Sequence, residues 1–319
     1  MSRIAFTSVV LLLLMLLQAC SQEIPEGESP PKAPRGFRSE GMLKVAYALR
    51  LLKLIDTEPE VPASIDVQKN IEYKRVDSIS LQLDIYKLKS LTEVAPVLIF
   101  IHGGSWAKGK RSDYLPYLLD YAQKGYVCVT VSYRLAGVAH YPAAVQDVQT
   151  AVQWIRQHYG EHMMNPEKIA LIGGSAGGHL AMMAGYADEA KEKVQAVVNL
   201  YGPADLTTEY ARNRDECLNF LGESYLERPD LYRHASPRTH ITGDDPPTLI
   251  FHGTIDSLVP VSQSDSLHHW LDRAGVPNEY HSLKGWPHTM DLSTKVNNYC
   301  QYYMDAFLQR YLGESGHQF

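Results

Sequence analysis

Hydrophobic and polar residues follow three successive periods along the chain. Met42, Val45, Ala46, Leu49 and Leu52 recur at helical spacing, with Lys44, Arg50 and Lys53 off that stripe, which predicts one helix over residues 41–55. The pattern then changes to alternation. Leu81, Leu83 and Ile85 are separated by polar residues after the turn-like Asp77-Ser78, so residues 67–88 are expected to form an antiparallel hairpin. Beyond it come short apolar runs at 97–101, 126–131, 169–172, 194–200 and 248–251. Each is too continuous for a half-exposed strand and predicts a strand covered on both faces. Val145, Val148, Val152 and Ile155 mark a helix opened by Pro142. Leu267, Trp270, Leu271 and Ala274 mark another, closed by Gly275 and Pro277. A last strand at 280–283 and a last helix carrying Val296, Tyr299, Tyr303 and Phe307 complete the series. This alternation implies an α/β fold, a mostly parallel sheet with helices on both faces.

The N-terminus has a different pattern. Arg3 is the only charge before an apolar stretch at 4–17, whose 9–17 portion is unbroken, and the small residue Ala19 follows. That pattern reads as a secretory signal, too short to span about 30 Å of hydrocarbon as a helix. Leu17-Gln18-Ala19-Cys20 resembles the bacterial lipoprotein cleavage box, which would make Cys20 the lipidated mature N-terminus, and Ser21 resembles the outer-membrane sorting signal. Cleavage by the ordinary signal peptidase, with Cys20 incidental, remains open. Residues 20–40 hold Pro25, Pro30, Pro31 and Pro34 with Gly27 and Gly36 and no apolar period, the composition of a tether. Helix 41–55 is expected to pack on the main domain, with a lid, a part of the cap and a membrane-surface helix as alternatives. The resulting organisation is a signal at 1–19, a tether at 20–40, a helix and linker at 41–64, and a catalytic domain at 65–315.

Composition narrows the function classes. The chain has 319 residues, 45% hydrophobic and 21% charged, which excludes a disordered protein. Lys+Arg 30 against Asp+Glu 36 gives a net charge of -6 with no basic run, so no nucleic-acid partner is expected. Besides Cys20 there are Cys128, Cys217 and Cys300. Cys128 lies in an apolar run and reads as a small core residue. A Cys217–Cys300 disulfide is permitted by an oxidising compartment but not supported by spacing.

The candidate chemistry centres on Gly173-Gly174-Ser175-Ala176-Gly177, which fits Gly-x-Ser-x-Gly. A strand must turn straight into a helix with Ser175 at the apex, so side chains two positions either side would collide. A serine hydroxyl needs a base within hydrogen-bond reach, itself oriented by a carboxylate. In α/β-hydrolases these follow in the order Ser, acid, His, with the acid after a late strand and the His after the last one. Asp256 and His288 occupy those places. His102 and His252 end strands and read as loop braces, His179 opens the elbow helix, and His268 and His269 read as solvated. His102-Gly103-Gly104-Ser105-Trp106 follows the strand at 97–101 and matches a lipase-type oxyanion loop. Gly103, Gly104 and the N–H of Ala176 are the expected donors. No cofactor or metal is required.

Together these segments, with Tyr141-Pro142-Ala143-Ala144, Gly178-His179-Leu180-Ala181, Asp245-Pro246-Pro247 and Val259-Pro260, resemble hormone-sensitive-lipase-like carboxylesterases of the α/β-hydrolase fold. Within them the chain is similar to bacterial acetyl- and feruloyl-esterase-like (BD-FAE) proteins, over roughly residues 66–312. The resemblance implies two-step acyl transfer on a small-molecule or polysaccharide ester, and the N-terminal signal points to the periplasm or the outer membrane. An amide hydrolase resembling a kynurenine formamidase, and a catalytically silent binding protein, are the alternatives. Three departures fall in the expected pocket. Gly174 stands where many members carry Asp, Ser105 replaces a third glycine, and Trp286-Pro287 precedes the histidine. Ser105, Trp106 and Gly174 are therefore candidate pocket residues, and residues 203–245 a small cap that limits acyl length.

Overall fold

Strand β3 (Ala95–Ile101) is buried along its whole length, and its side chains alternate between two apolar clusters. Val97, Ile99 and Ile101 face one cluster, Leu98 and Phe100 the other. This is what an unbroken apolar run produces when both faces of a sheet are covered. The computed structural model describes residues 29–186 and 193–313. The chain divides into residues 1–32, of which only the last four are described, and a compact unit at 33–319. The expected signal at 1–19 and Cys20 lie outside the described residues.

Eight strands form one sheet: β1 (Ile65–Val76), β2 (Ile79–Leu88), β3, β4 (Val127–Val131), β5 (Met164–Gly174), β6 (Ala196–Leu200), β7 (Thr248–Gly253) and β8 (Asn278–Leu283). Their order is β1-β2-β4-β3-β5-β6-β7-β8. Only β2 runs antiparallel to its neighbours, and every pairing from β4 to β8 is parallel. Ten helices are described, beginning with α1 (Glu40–Ala48), α2 (Leu115–Gln123), α3 (Ala143–Gln157), α4 (Tyr159–His162) and α5 (Ala176–Tyr186). The cap supplies α6 (Glu209–Arg212), α7 (Asp215–Leu221) and α8 (Pro229–His234), and α9 (Ser262–Ala274) and α10 (Thr294–Leu312) follow. Helices α3, α5 and α9 bury their apolar residues in the cluster on one face, α2 and α10 in the cluster on the other. The α/β-hydrolase fold is thereby formed.

Several expectations require correction. Helix α1 ends at Ala48 rather than at residue 55, because Arg50 turns left-handed (φ 55°) and the Leu51 N–H closes back on the Ala46 carbonyl. Nor does α1 pack through its stripe: only Ala46 is buried, while Met42, Val45 and Leu49 are exposed. The end of the segment read as a tether docks on the loop after β8. Gly36 and Phe37 donate backbone N–H groups to the Lys284 and Gly285 carbonyls, and the Trp286 indole N–H donates to the Pro34 carbonyl at 2.8 Å. Cys217 and Cys300 are free, as is Cys128, and the first two sit in clusters on opposite faces of the sheet, so no disulfide joins them.

Candidate active site

The elbow forms where β5 runs into α5. Ser175 sits between them at φ 56°, the left-handed region that a non-glycine residue enters at a cost. A methyl group at Gly173 would lie 2.3 Å from the Gly177 backbone, and one at Gly177 would lie 2.0 Å from the Ile101 carbonyl oxygen. Both glycines are thus required by backbone contact, the collision expected from the motif. The Ser175 N–H donates to the Leu200 carbonyl at 2.8 Å, which fixes the apex against β6.

Ser175 and His288 line one cleft of about 500 Å³ together with Gly103, Gly104, Ala176 and Tyr201. Among the described residues no direct hydrogen bond joins Ser175 to His288. The carboxylate expected behind the histidine is in place: His288 Nδ1 donates to Asp256 Oδ2 at 2.6 Å. That fixes the tautomer, leaving Nε2 as the acceptor. Asp256 Oδ1 accepts the Leu258 and Val259 N–H groups, both at 2.9 Å. His252 lies on the other side of Oδ2, its Nε2 at 3.2 Å. That nitrogen also faces the Val259 carbonyl at 2.9 Å and Nδ1 faces the Ser264 hydroxyl. Nε2 therefore carries the proton, and His252 holds both the acid and the loop behind it. Burial pushes the Asp256 carboxyl up, but hydrogen bonds from His252 and His288 outweigh it and bring it down to about 2. The acid is accordingly ionised at any pH where an imidazole can serve as base.

The N–H groups of Gly103, Gly104 and Ala176 donate to no described residue, and all three residues border the cleft. They form a set of donors able to meet a developing oxyanion. The loop that carries the first two is held by Trp106. Its ring is 4% exposed, stacks on Phe220 of α7 at 4.4 Å, and donates its indole N–H to His179 Nδ1 at 3.2 Å. His179 Nε2 in turn donates to the Ala235 carbonyl beyond α8. Trp106, expected as a pocket residue, borders the cleft but mainly ties the loop of Gly103 and Gly104 to the elbow helix and the cap.

Gly174 and Ser105 also line the cleft. A side chain at 174 would displace Tyr114, because its Cβ would lie 2.4 Å from the Tyr114 hydroxyl and 3.1 Å from that of Tyr201. Asp291 is buried beside them, accepting from the Tyr201 hydroxyl at 2.6 Å and the Tyr117 hydroxyl at 3.3 Å. Burial pushes its carboxyl up against those two donors. Tyr201, itself left-handed at φ 48°, places its ring 4.6 Å from that of His288. The Asp291 and Tyr201 pair therefore fastens the histidine loop to the end of β6. None of Tyr114, Tyr201 and Asp291 carries a motif, and no local signal could have found them. His252 was visible, but only as a loop brace.

Burial lowers the His179 imidazole from 6.5 to about 4. Its depressed value means the unfolded chain takes up the proton first, so the stability it supports is complete above about pH 6.5 and declines towards pH 4. The full span is worth about 3 kcal/mol. The melting temperature is expected to fall by several degrees between pH 7 and pH 4.5, and by clearly less in His179→Gln. Calorimetry on both proteins checks this; equal falls would contradict it.

Comparison with known proteins places the chain in a family. The BD-FAE family model matches residues 83–271. The chain is 35% identical over 240 residues to the probable carboxylic ester hydrolase LipM of Mycobacterium tuberculosis, covering 69% of this chain and 55% of that protein. It is 33% identical over 257 residues to esterase LipC of the same organism, covering 73% and 64% respectively. The chain thus spans somewhat more than half the length of these curated relatives. Among solved structures, the propionate-bound esterase 2 of the planctomycete Thermogutta terrifontis superposes with a TM-score of 0.68 at 26% identity, covering 83% of this chain and 100% of that one. The chain belongs to the BD-FAE family and has the α/β-hydrolase fold.

Proposed function

We propose that the chain is a serine carboxylesterase acting on short-acyl esters. The observation that carries this reading is the 2.6 Å hydrogen bond from His288 to Asp256 in a cleft shared with Ser175 and three available backbone N–H groups. His288 Nε2 takes the Ser175 hydroxyl proton as the oxygen attacks the ester carbonyl. The N–H groups of Gly103, Gly104 and Ala176 receive the oxyanion. His288 then protonates the departing alcohol oxygen, and water, deprotonated by the same nitrogen, releases the acid. The cycle closes within the triad and water, so no step calls on a metal or cofactor.

Two features support a short acyl group. Cap residues Pro203, Tyr210 and Cys217 border the cleft, and the hydroxyls of Tyr114 and Tyr201 crowd Gly174. The Thermogutta terrifontis esterase, a likeness at 26% identity, has been solved with propionate and with butyrate. Acetyl or feruloyl groups on polysaccharides are the substrates that family and an exported location favour. A panel of nitrophenyl acetate, butyrate and octanoate, acetylated xylan, methyl ferulate and formylkynurenine tests this. Acetyl and butyryl esters should be turned over fastest, with Ser175→Ala lowering kcat by roughly 10³-fold or more. Preference for octanoate or for formylkynurenine, or full activity in Ser175→Ala, would overturn the assignment.

The N-terminal pattern supports export as a lipoprotein carried on Cys20, placing the enzyme at the outer membrane or in the periplasm. Cells fed a radiolabelled fatty acid should incorporate label into the chain but not into its Cys20→Ala variant. Label that persists in the variant would refute the anchor.

A further inference from the structure

Helix α1 presents an apolar face that is left exposed among the described residues. Met42, Val45 and Leu49 share one side of it at 51%, 58% and 64% exposure, and Leu51 continues the patch at 74%. The charge around that patch opposes the charge of the rest of the chain. Between residues 33 and 54 lie five basic residues, Arg35, Arg38, Lys44, Arg50 and Lys53, against the single acid Glu40, in a protein of net charge -6. All five basic residues are exposed, and among the described residues none is ion-paired.

The segment is also clamped at both of its ends to the chain that carries His288. Upstream of α1, Gly36 and Phe37 donate to the Lys284 and Gly285 carbonyls, and the Phe37 ring packs edge-on against Trp286 at 5.9 Å. Downstream, the Ile55 N–H donates to the Leu292 carbonyl and the Thr294 N–H to the Lys53 carbonyl. The two clamps bracket His288. Leu292, itself 39% exposed, lines the cleft, and the exposed Leu54 bridges to its neighbour Ser293.

We infer that residues 33–54 are a docking element for an anionic lipid surface, with α1 lying in the interface plane and the cleft mouth held beside it. An apolar face rimmed by lysine and arginine is the chemistry that enters a headgroup layer of negative charge. A second copy of this chain would instead bring two positive rims together. Membrane attachment through α1 is independent of both the Cys20 anchor and the acyl-transfer chemistry, and its readout needs neither.

The test uses the chain from Ser21 onward, which lacks the apolar N-terminus and Cys20 but retains the whole compact unit. Sedimentation is measured with vesicles of phosphatidylcholine and phosphatidylglycerol at 3:1, and with phosphatidylcholine alone. The protein should partition to the anionic vesicles and be released by salt. Val45→Glu/Leu49→Glu, which alters exposed residues only and should keep the parent's circular dichroism and melting temperature, should lower partitioning roughly tenfold or more. No binding to the anionic vesicles, equal binding to neutral ones, or binding undiminished in the variant would overturn the inference. So would a concentration-dependent dimer abolished by the same substitutions without vesicle binding.

Discussion

At Ser175 the chain passes from strand to helix within a single left-handed residue, and the two backbones approach so closely that a methyl at Gly177 would meet the Ile101 carbonyl at 2.0 Å. A non-glycine residue held at φ 56° costs of the order of 1–3 kcal/mol, and only well-packed surroundings keep it there. Here β5 and α5, both buried throughout the turn, and the hydrogen bond from Ser175 to Leu200 impose it. Strain of this kind gathers around the cleft. Ser105, Trp106, Tyr201 and Thr289 are also left-handed, and all four line the same space as Ser175. The sheet and its two apolar layers serve as the rigid support against which these five residues are held.

The polar groups behind the cleft are fixed in one protonation pattern by their partners. Asp256 is saturated by two backbone N–H groups and two imidazoles, which keeps it ionised and keeps His288 facing outward with a free Nε2. His179 is neutral because it is buried, and neutrality is what lets its Nδ1 accept from Trp106 while Nε2 donates to the cap. A single imidazole therefore connects the elbow helix, the loop of Gly103 and Gly104, and the cap. On the opposite side, Asp291, Tyr201 and the Pro34–Phe37 strap hold the loop that carries His288.

Much of this was legible in the sequence, for physical reasons. The central strands announce themselves because a strand covered on both faces is apolar almost throughout, as 97–101 is. The Ser175, Asp256 and His288 positions follow from the order of chemistry-bearing residues along an alternating chain, and the structure brings them to one end of the sheet. Helix α2 was not read, because Tyr117, Leu118, Leu119, Tyr121 and Ala122 are buried around most of its circumference and leave no polar period. The strap was read as tether because its hydrogen bonds come from backbone, which composition does not encode. Tyr201 and Asp291 meet across 90 positions of sequence, and neither belongs to a local pattern. The stripe of α1 was legible, but a period of 3.6 residues cannot distinguish a core from a lipid surface.

The central claim is that the strained Ser175 is the nucleophile and that His288 activates it. Intact-mass analysis after treatment with a fluorophosphonate measures this without any choice of ester. One adduct per chain is expected, located on Ser175, absent in Ser175→Ala and formed much more slowly in His288→Ala. An adduct on another residue, or labelling that proceeds at the parent rate in His288→Ala, would contradict the account.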